Sequence, residues 1–146
     1  MEKTKGRILI VDDDPHAVEI LTRMLAREGY ECLSASGGAA ALQTLQEQPV
    51  DVILLDVMMP GMDGLQVCER LRQNEALRAI PVILLTAKDD METRGQGMAL
   101  GVSEYLTKPI NKRELFTRIE AQLHALEIDR KLSETVAAVA DPKKLQ

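Results

Sequence analysis

Five residues of this chain carry the chemistry of a charged reaction centre: Asp12, Asp13, Asp56, Thr86 and Lys108. Each directly follows, or closely follows, a short run rich in Val, Ile or Leu. If those runs are parallel strands of one sheet, four strand ends deliver all five side chains to a single edge, where ligands of such sheets bind. Three carboxylates crowded there would repel one another by about 4 kcal/mol per pair at ~4 Å and an effective dielectric near 20, so a cation is required. Oxygen-only ligands without a neighbouring His or Cys favour a hard ion that keeps some of its waters, with Mg²⁺ the first choice and Mn²⁺ the alternative. Lys108 supplies a second, fixed positive charge. A carboxylate held beside these charges can attack a phosphoryl group as nucleophile, because both offset the charge on the equatorial oxygens, and an acyl phosphate results. Thr86, with one donor hydroxyl, could then bond a phosphoryl oxygen.

The elements that must position these residues alternate along the chain. Short apolar runs are followed by longer segments of helical period, the pattern of right-handed strand-helix-strand units around a parallel sheet. Five such units can be counted. Arg7–Val11 shows no polar alternation and reads as a strand buried on both faces. Asp14-Pro15 supplies a cap and a first-turn proline for a helix with the stripe Val18, Leu21, Met24 and Leu25, ended by Gly29. Residues 31–35 form a more polar strand, 37–48 a helix and 50–55 a third strand with Asp56 at its end. Pro60, Gly61 and Gly64 punctuate a loop, Asp63 reads as a cap, and 65–73 is a helix. A fourth strand at 81–85, a weak helix at 91–100 interrupted by Gly95 and Gly97, and a short strand at 104–106 follow.

From Lys112 the chain reads as one long helix whose apolar stripe changes partway. Leu115, Ile119, Leu123 and Leu126 suit a face docked on the sheet, whereas Ala121, Ala125, Ile128, Leu132, Thr135 and Val139 recur at spacings of four and three, a coiled-coil-like seam. Asp141-Pro142 is expected to break this helix. The domain reading is therefore one domain over residues 6–126 and a helical extension or linker over 127–146, with a homodimer through residues 121–139 as one use of the seam.

Composition narrows the function classes. With 146 residues, 45% hydrophobic and 28% charged, the chain is of ordinary size for one domain and can bury a core without disulfide or metal staples. A net charge of −5 and the absence of a basic face argue against direct nucleic-acid binding. No apolar run reaches the ~18 residues of a membrane span, and the charged start Met1-Glu2-Lys3-Thr4-Lys5 lacks a signal-peptide core, so a cytoplasmic location is expected. Cys32 and Cys68 have no Cys-x-x-Cys partner and read as small core-facing hydrophobes.

Four stretches carry a resemblance. The run Ile8-Leu9-Ile10-Val11-Asp12-Asp13-Asp14-Pro15, residues 54–64 (Leu-Leu-Asp-Val-Met-Met-Pro-Gly-Met-Asp-Gly), the pair Thr86-Ala87, and Tyr105-Leu106-Thr107-Lys108-Pro109 look like bacterial two-component response-regulator receiver domains of the chemotaxis-regulator type, over about residues 6–126. The resemblance implies a doubly wound α/β fold, a five-stranded parallel sheet of flavodoxin-like order 2-1-3-4-5 with an extended C-terminal helix. It makes Asp56 the phosphoacceptor, and Asp12, Asp13, Asp56 and the Met58 backbone carbonyl the Mg²⁺ site, Asp12 acting through water. It makes Thr86 the switch hydroxyl with Ala87 its small neighbour, Lys108 the phosphate-pairing lysine with a cis bond to Pro109, and Tyr105 the aromatic that turns inward on activation. Met58 and Lys88 fall at positions that tune phosphoryl lifetime. The implied partners are a sensor histidine kinase or phosphotransfer protein, and a downstream output domain or protein reached through the face of the fourth helix, fifth strand and fifth helix. Such a domain is not an enzyme in the usual sense; it assists its own phosphoryl transfer and slow autodephosphorylation.

Two other readings stand beside it. A haloacid-dehalogenase-like phosphatase or phosphotransferase also uses an Asp nucleophile, Mg²⁺, Thr and Lys on a parallel sheet, and Asp12 and Asp14 have its Asp-x-Asp spacing, although Pro15 replaces the usual continuation. A dimerisation module working chiefly through the long helix is the other. Only twenty residues follow Leu126, too few for a separate output domain.

Overall fold

Strand and helix alternate through β1 (Arg7–Val11), α1 (Pro15–Arg27), β2 (Glu31–Ala35), α2 (Gly38–Glu47), β3 (Val52–Asp56), α3 (Gly64–Arg72), β4 (Val82–Thr86), α4 (Met91–Ala99), β5 (Glu104–Thr107) and α5 (Lys112–Ala140). The computed structural model describes residues 4–87 and 90–140, and of 133–140 the backbone alone. Lys88, Asp141-Pro142, and the side chains of Thr135 and Val139 therefore lie outside the described residues.

All neighbouring strands pair in parallel, in the order β2-β1-β3-β4-β5. This is the expected flavodoxin-like sheet. The chain leaves β1 for β2 on one side and reaches β3 on the other, so the crevice lies beyond the ends of β1 and β3. Strand residues alternate between two cores. Leu9, Val11, Ile53, Leu55, Val82 and Leu84 face α2 and α3 through Ala41, Leu45, Val67, Cys68 and Leu71. Ile8, Ile10, Val52, Leu54, Ile83 and Leu85 face α1 and α5 through Leu21, Leu25, Leu115 and Ile119. Both faces being covered explains why β1, β3 and β4 read as unbroken apolar runs. The edge strand β2 is the more polar one, with Glu31 and Ser34 exposed.

Caps fix where helices start. The Asp14 carboxylate accepts from the His16 N–H at 3.0 Å, with Pro15 in the first turn. Asp63 and Gln66 form a reciprocal capping box at the start of α3. The third strand begins at Val52, two residues later than the apolar run suggests. Asp51 is held at the strand entrance instead: its N–H donates to the Arg7 carbonyl at 2.8 Å and its carboxylate accepts from the Arg7 N–H at 2.7 Å. At their far ends β3 and β4 run through Asp56 and Thr86, which makes these residues the last of their strands.

Candidate functional site

Strand pairing sets the site. Asp56 is in register with Leu85, and Thr86 with Thr107, while Asp12 directly follows β1 and donates its N–H to the Ala35 carbonyl at 3.1 Å. On the β5 side, the Lys108 N–H donates to the Thr86 carbonyl at 2.8 Å, which hands its side chain back toward β3. The Lys108 Nζ then reaches Asp56 Oδ1 at 2.9 Å, although these residues are 52 apart in sequence. The Lys108–Pro109 peptide bond is cis.

Asp12, Asp13 and Asp56 each offer a carboxylate oxygen within 4.8 Å of the others. Asp12 and Asp56 are buried, and Asp13 is exposed. Among the described residues these three are the group that could hold a metal ion. The donors are oxygens alone, which suits Mg²⁺. The Asp12 carboxylate tests the fit: Oδ1 accepts from the Asp14 N–H at 2.9 Å, whereas buried Oδ2 has no hydrogen-bond partner. Its pKa is pushed above the usual carboxylate value, first by burial and then by the charges of Asp56 and Asp13; the Asp14 N–H and the Lys108 ammonium act in the opposite direction. A buried acceptor with no donor, among like charges, fits a divalent cation.

The remaining predicted residues divide. Thr86 is buried and its hydroxyl points across to β5, donating to the Leu106 carbonyl at 3.5 Å, a long and weak bond. Ala87 is exposed, and Met58, two residues after Asp56, is 73% exposed. Tyr105 is not brought to the carboxylates. It lies at the surface, 36% exposed, under the Arg94 guanidinium at 4.8 Å.

One residue escaped the sequence reading, and another was read there only as loop punctuation. Arg94 of α4 donates to Thr107 Oγ1 at 2.8 Å and to the Ala87 carbonyl at 3.4 Å, so it ties α4 to the ends of both β4 and β5. Its neighbours are seven and thirteen residues away, and no linear motif signals them. Gly64 is more than punctuation: a Cβ there would sit 2.7 Å from the Asp56 carbonyl oxygen and 2.8 Å from Val57 Cα, so only glycine lets α3 start against the phosphoacceptor candidate's backbone. Its place in the Asp63-Gly64 pair, eight residues past Asp56, was the available signal.

Residues 8–120 match the family model described as the response regulator receiver domain. The chain is a member of that family. It is 41% identical over 128 residues to the alkaline phosphatase synthesis transcriptional regulatory protein PhoP of Bacillus subtilis, covering 88% of this chain and 52% of the relative. It is 46% identical over 116 residues to the response regulator PleD of Caulobacter vibrioides, covering 80% of this chain and 26% of that one. The chain thus spans about half or less of these curated relatives. Among solved structures, a response regulator from Chloroflexus aurantiacus superposes with a TM-score of 0.80 at 36% identity, covering 84% of this chain and 99% of that one. These response regulators overturn the haloacid-dehalogenase alternative. The geometry gives the reason: Asp14, the second residue of its Asp-x-Asp, caps α1. Receiver domains hold Mg²⁺ through an acidic cluster and serve two-component signalling with histidine kinases and output domains, and they are not enzymes in the usual sense. No described helix is long and apolar enough to cross a membrane.

Proposed function

We propose that Asp56 is the phosphoacceptor of this receiver and that its phosphorylation, by a sensor histidine kinase or a phosphotransfer protein, controls an output reached through α4, β5 and α5. The observation that carries this reading is the buried Asp56 carboxylate held 2.9 Å from Lys108 Nζ beside the Asp12 and Asp13 carboxylates. Asp12, Asp13, Asp56 and the Met58 backbone carbonyl would hold Mg²⁺, with Mn²⁺ as a substitute. When bound, the ion supplies positive charge that offsets the charge on the phosphoryl oxygens.

The chain's own residues do the rest. Asp56 presents an oxygen as nucleophile on a rigid strand end, while the Lys108 ammonium pairs with the incoming phosphoryl group. The O–P bond to Asp56 forms as the bond to the donor breaks, and the donor leaves with its electron pair. Thr86 then turns its hydroxyl from the weak Leu106 contact to a phosphoryl oxygen. That movement vacates space behind β5 for Tyr105, which leaves Arg94 and turns inward with Ala87 as its small neighbour, and the outer face is remodelled. The change is a shift between two populations, both sampled before phosphorylation. Met58 tunes how readily water reaches the acyl phosphate, and slow autodephosphorylation resets the domain. Residues 6–126 form the receiver, 127–146 an extension or linker, and the location is cytoplasmic.

Incubation with acetyl phosphate and Mg²⁺, followed by peptide mass mapping, is expected to place the phosphoryl group on Asp56. Asp56→Ala should abolish it. Label found on Asp12 that survives Asp56→Ala would overturn the assignment.

A further inference from the structure

Three methionines stand out on the described surface, Met58, Met91 and Met98, exposed by 73%, 70% and 51%. Among the described residues, only Met91 has its sulfur engaged by a charged group: Arg94 Nη1 donates to Met91 Sδ at 3.6 Å. The other arm of the same guanidinium, Nη2, donates to Thr107 Oγ1 at 2.8 Å and to the Ala87 carbonyl at 3.4 Å, and the cation lies over the Tyr105 ring at 4.8 Å. One planar cation is thus shared by the first residue of α4, the residue after Thr86, the residue before Lys108 and the aromatic of β5. A guanidinium is rigid, so whatever fixes Nη1 also fixes Nη2 and the face turned to Tyr105. The thioether is the weakest of these acceptors. It is also the one that chemistry can change, because Met91 is open to a small oxidant in the folded chain.

We infer that Met91 is an oxidative modification site, through which a peroxide tightens the Arg94 clamp and holds the receiver in its resting conformation. The inference rests on the inward turn of Tyr105 proposed above. In the reaction a lone pair of Sδ attacks one peroxide oxygen, and the S–O bond forms as the O–O bond breaks. The departing hydroxide takes the proton of the transferred oxygen and leaves as water. Sulfur loses two electrons and the peroxide gains them. A weak acceptor is thereby replaced by a polar sulfoxide oxygen facing the same cation. While Tyr105 is outside, the stronger bond falls on an arginine already ordered by Thr107, the Ala87 carbonyl and the ring. Once Tyr105 has left, the same bond must order that long side chain with less help, and it contributes less. A modification moves a two-state equilibrium only by such a difference, and here the difference favours the resting state.

The test uses the whole chain with Tyr30→Phe, which leaves Tyr105 as its one tyrosine, and with Met58→Leu and Met98→Leu, which removes the other two exposed sulfurs. Beryllofluoride with Mg²⁺, a mimic of the phosphoryl group on Asp56, is titrated against Tyr105 emission before and after hydrogen peroxide, and peptide mass mapping locates the sulfoxide. Oxidation of Met91 is expected to raise the midpoint by about two- to tenfold, the range given by one hydrogen bond made stronger in one state. Methionine sulfoxide reductases A and B with a thiol should restore the original midpoint. Two variants in the same background decide the cause. Met91→Leu lacks the sulfur and Arg94→Ala lacks its donor, so the midpoint of each should be indifferent to peroxide. An unmoved or lowered midpoint with Met91 oxidised, an equal rise in either variant, or oxidation of buried Met59 ahead of Met91 would overturn the modification site. Tyr105 emission that ignores beryllofluoride in the unoxidised chain, while calorimetry shows the mimic bound, would overturn the inward turn itself and the inference with it.

Discussion

Asp12 carries the largest unmet electrostatic demand at the site, with one oxygen buried and without a partner and two further carboxylates nearby. A buried acceptor left unsatisfied costs about 1–3 kcal/mol, and more when charged. A divalent cation removes that cost and screens the three carboxylates from each other. Mg²⁺ should therefore stabilise the fold by about 2.7 kcal/mol at a hundredfold excess over its Kd. Thermal melts in Mg²⁺ and in EDTA check this, and Asp13→Asn should shrink the difference. A Tm unmoved by millimolar Mg²⁺ would exclude the site. The cysteines give a contrasting case. Burial pushes the Cys68 thiol up to about 12, with the Asp63 charge acting the same way. Its thiolate is then scarce near about pH 8, and iodoacetamide should modify Cys68 only after unfolding. Sequence showed that both cysteines lacked partners for a disulfide or metal. That Cys68 is buried while Cys32 is half-exposed depends on which core each strand or helix faces, and no motif encodes it.

Among the elements, α4 is the one whose sequence least favours its own helix. Gly95 and Gly97 differ in why they are there. A Cβ on Gly97 would run into the Leu84 side chain, whereas one on Gly95 meets nothing within 4 Å. Gly95→Ala should stabilise the chain by up to about 1 kcal/mol and Gly97→Ala should destabilise it, as read from urea midpoints. The start of α4 should respond to acid. Hydrogen bonds from Thr93 lower the Asp90 carboxyl below its usual 3.8, with Arg94 adding to them. A depressed carboxyl stabilises its element above the unfolded value and loses that support as pH falls through the lower, folded one. Protection of the Thr93 amide, taken relative to its intrinsic exchange rate, should fall as pH drops below 3.8, and Asp90→Asn should remove that dependence. The strands were legible because apolar runs without alternation have few alternatives in a chain of this pattern. The Arg94 bridge was not, since stacking on Tyr105 and bonding Thr107 join residues whose proximity exists only once β4 and β5 are paired.

Across the whole molecule, one sheet is shared by two cores, and neighbouring residues of one strand point into different ones. Leu54 is fully buried on the side of α1 and α5, and Leu55 on the side of α2 and α3. Either layer lost would expose one entire face of β1, β3 and β4, so neither core has an independent existence. Truncating Leu54 or Leu55 to Ala should each cost about 2–5 kcal/mol, through lost burial and the cavity left behind. Because the sheet is common, both variants should lower the midpoint of one and the same urea transition, by far-UV circular dichroism and, in a Tyr105→Phe background, by the fluorescence of Tyr30 alike. Noncoincident transitions in either variant would mean the layers unfold separately. The distinction reaches the site, because Asp56, Thr86 and Lys108 hold their geometry only through strands that belong to both layers. A single transition means that the strand ends carrying Asp56, Thr86 and Lys108 are lost together with both layers, whereas separate transitions would leave part of the site on the layer that stays folded.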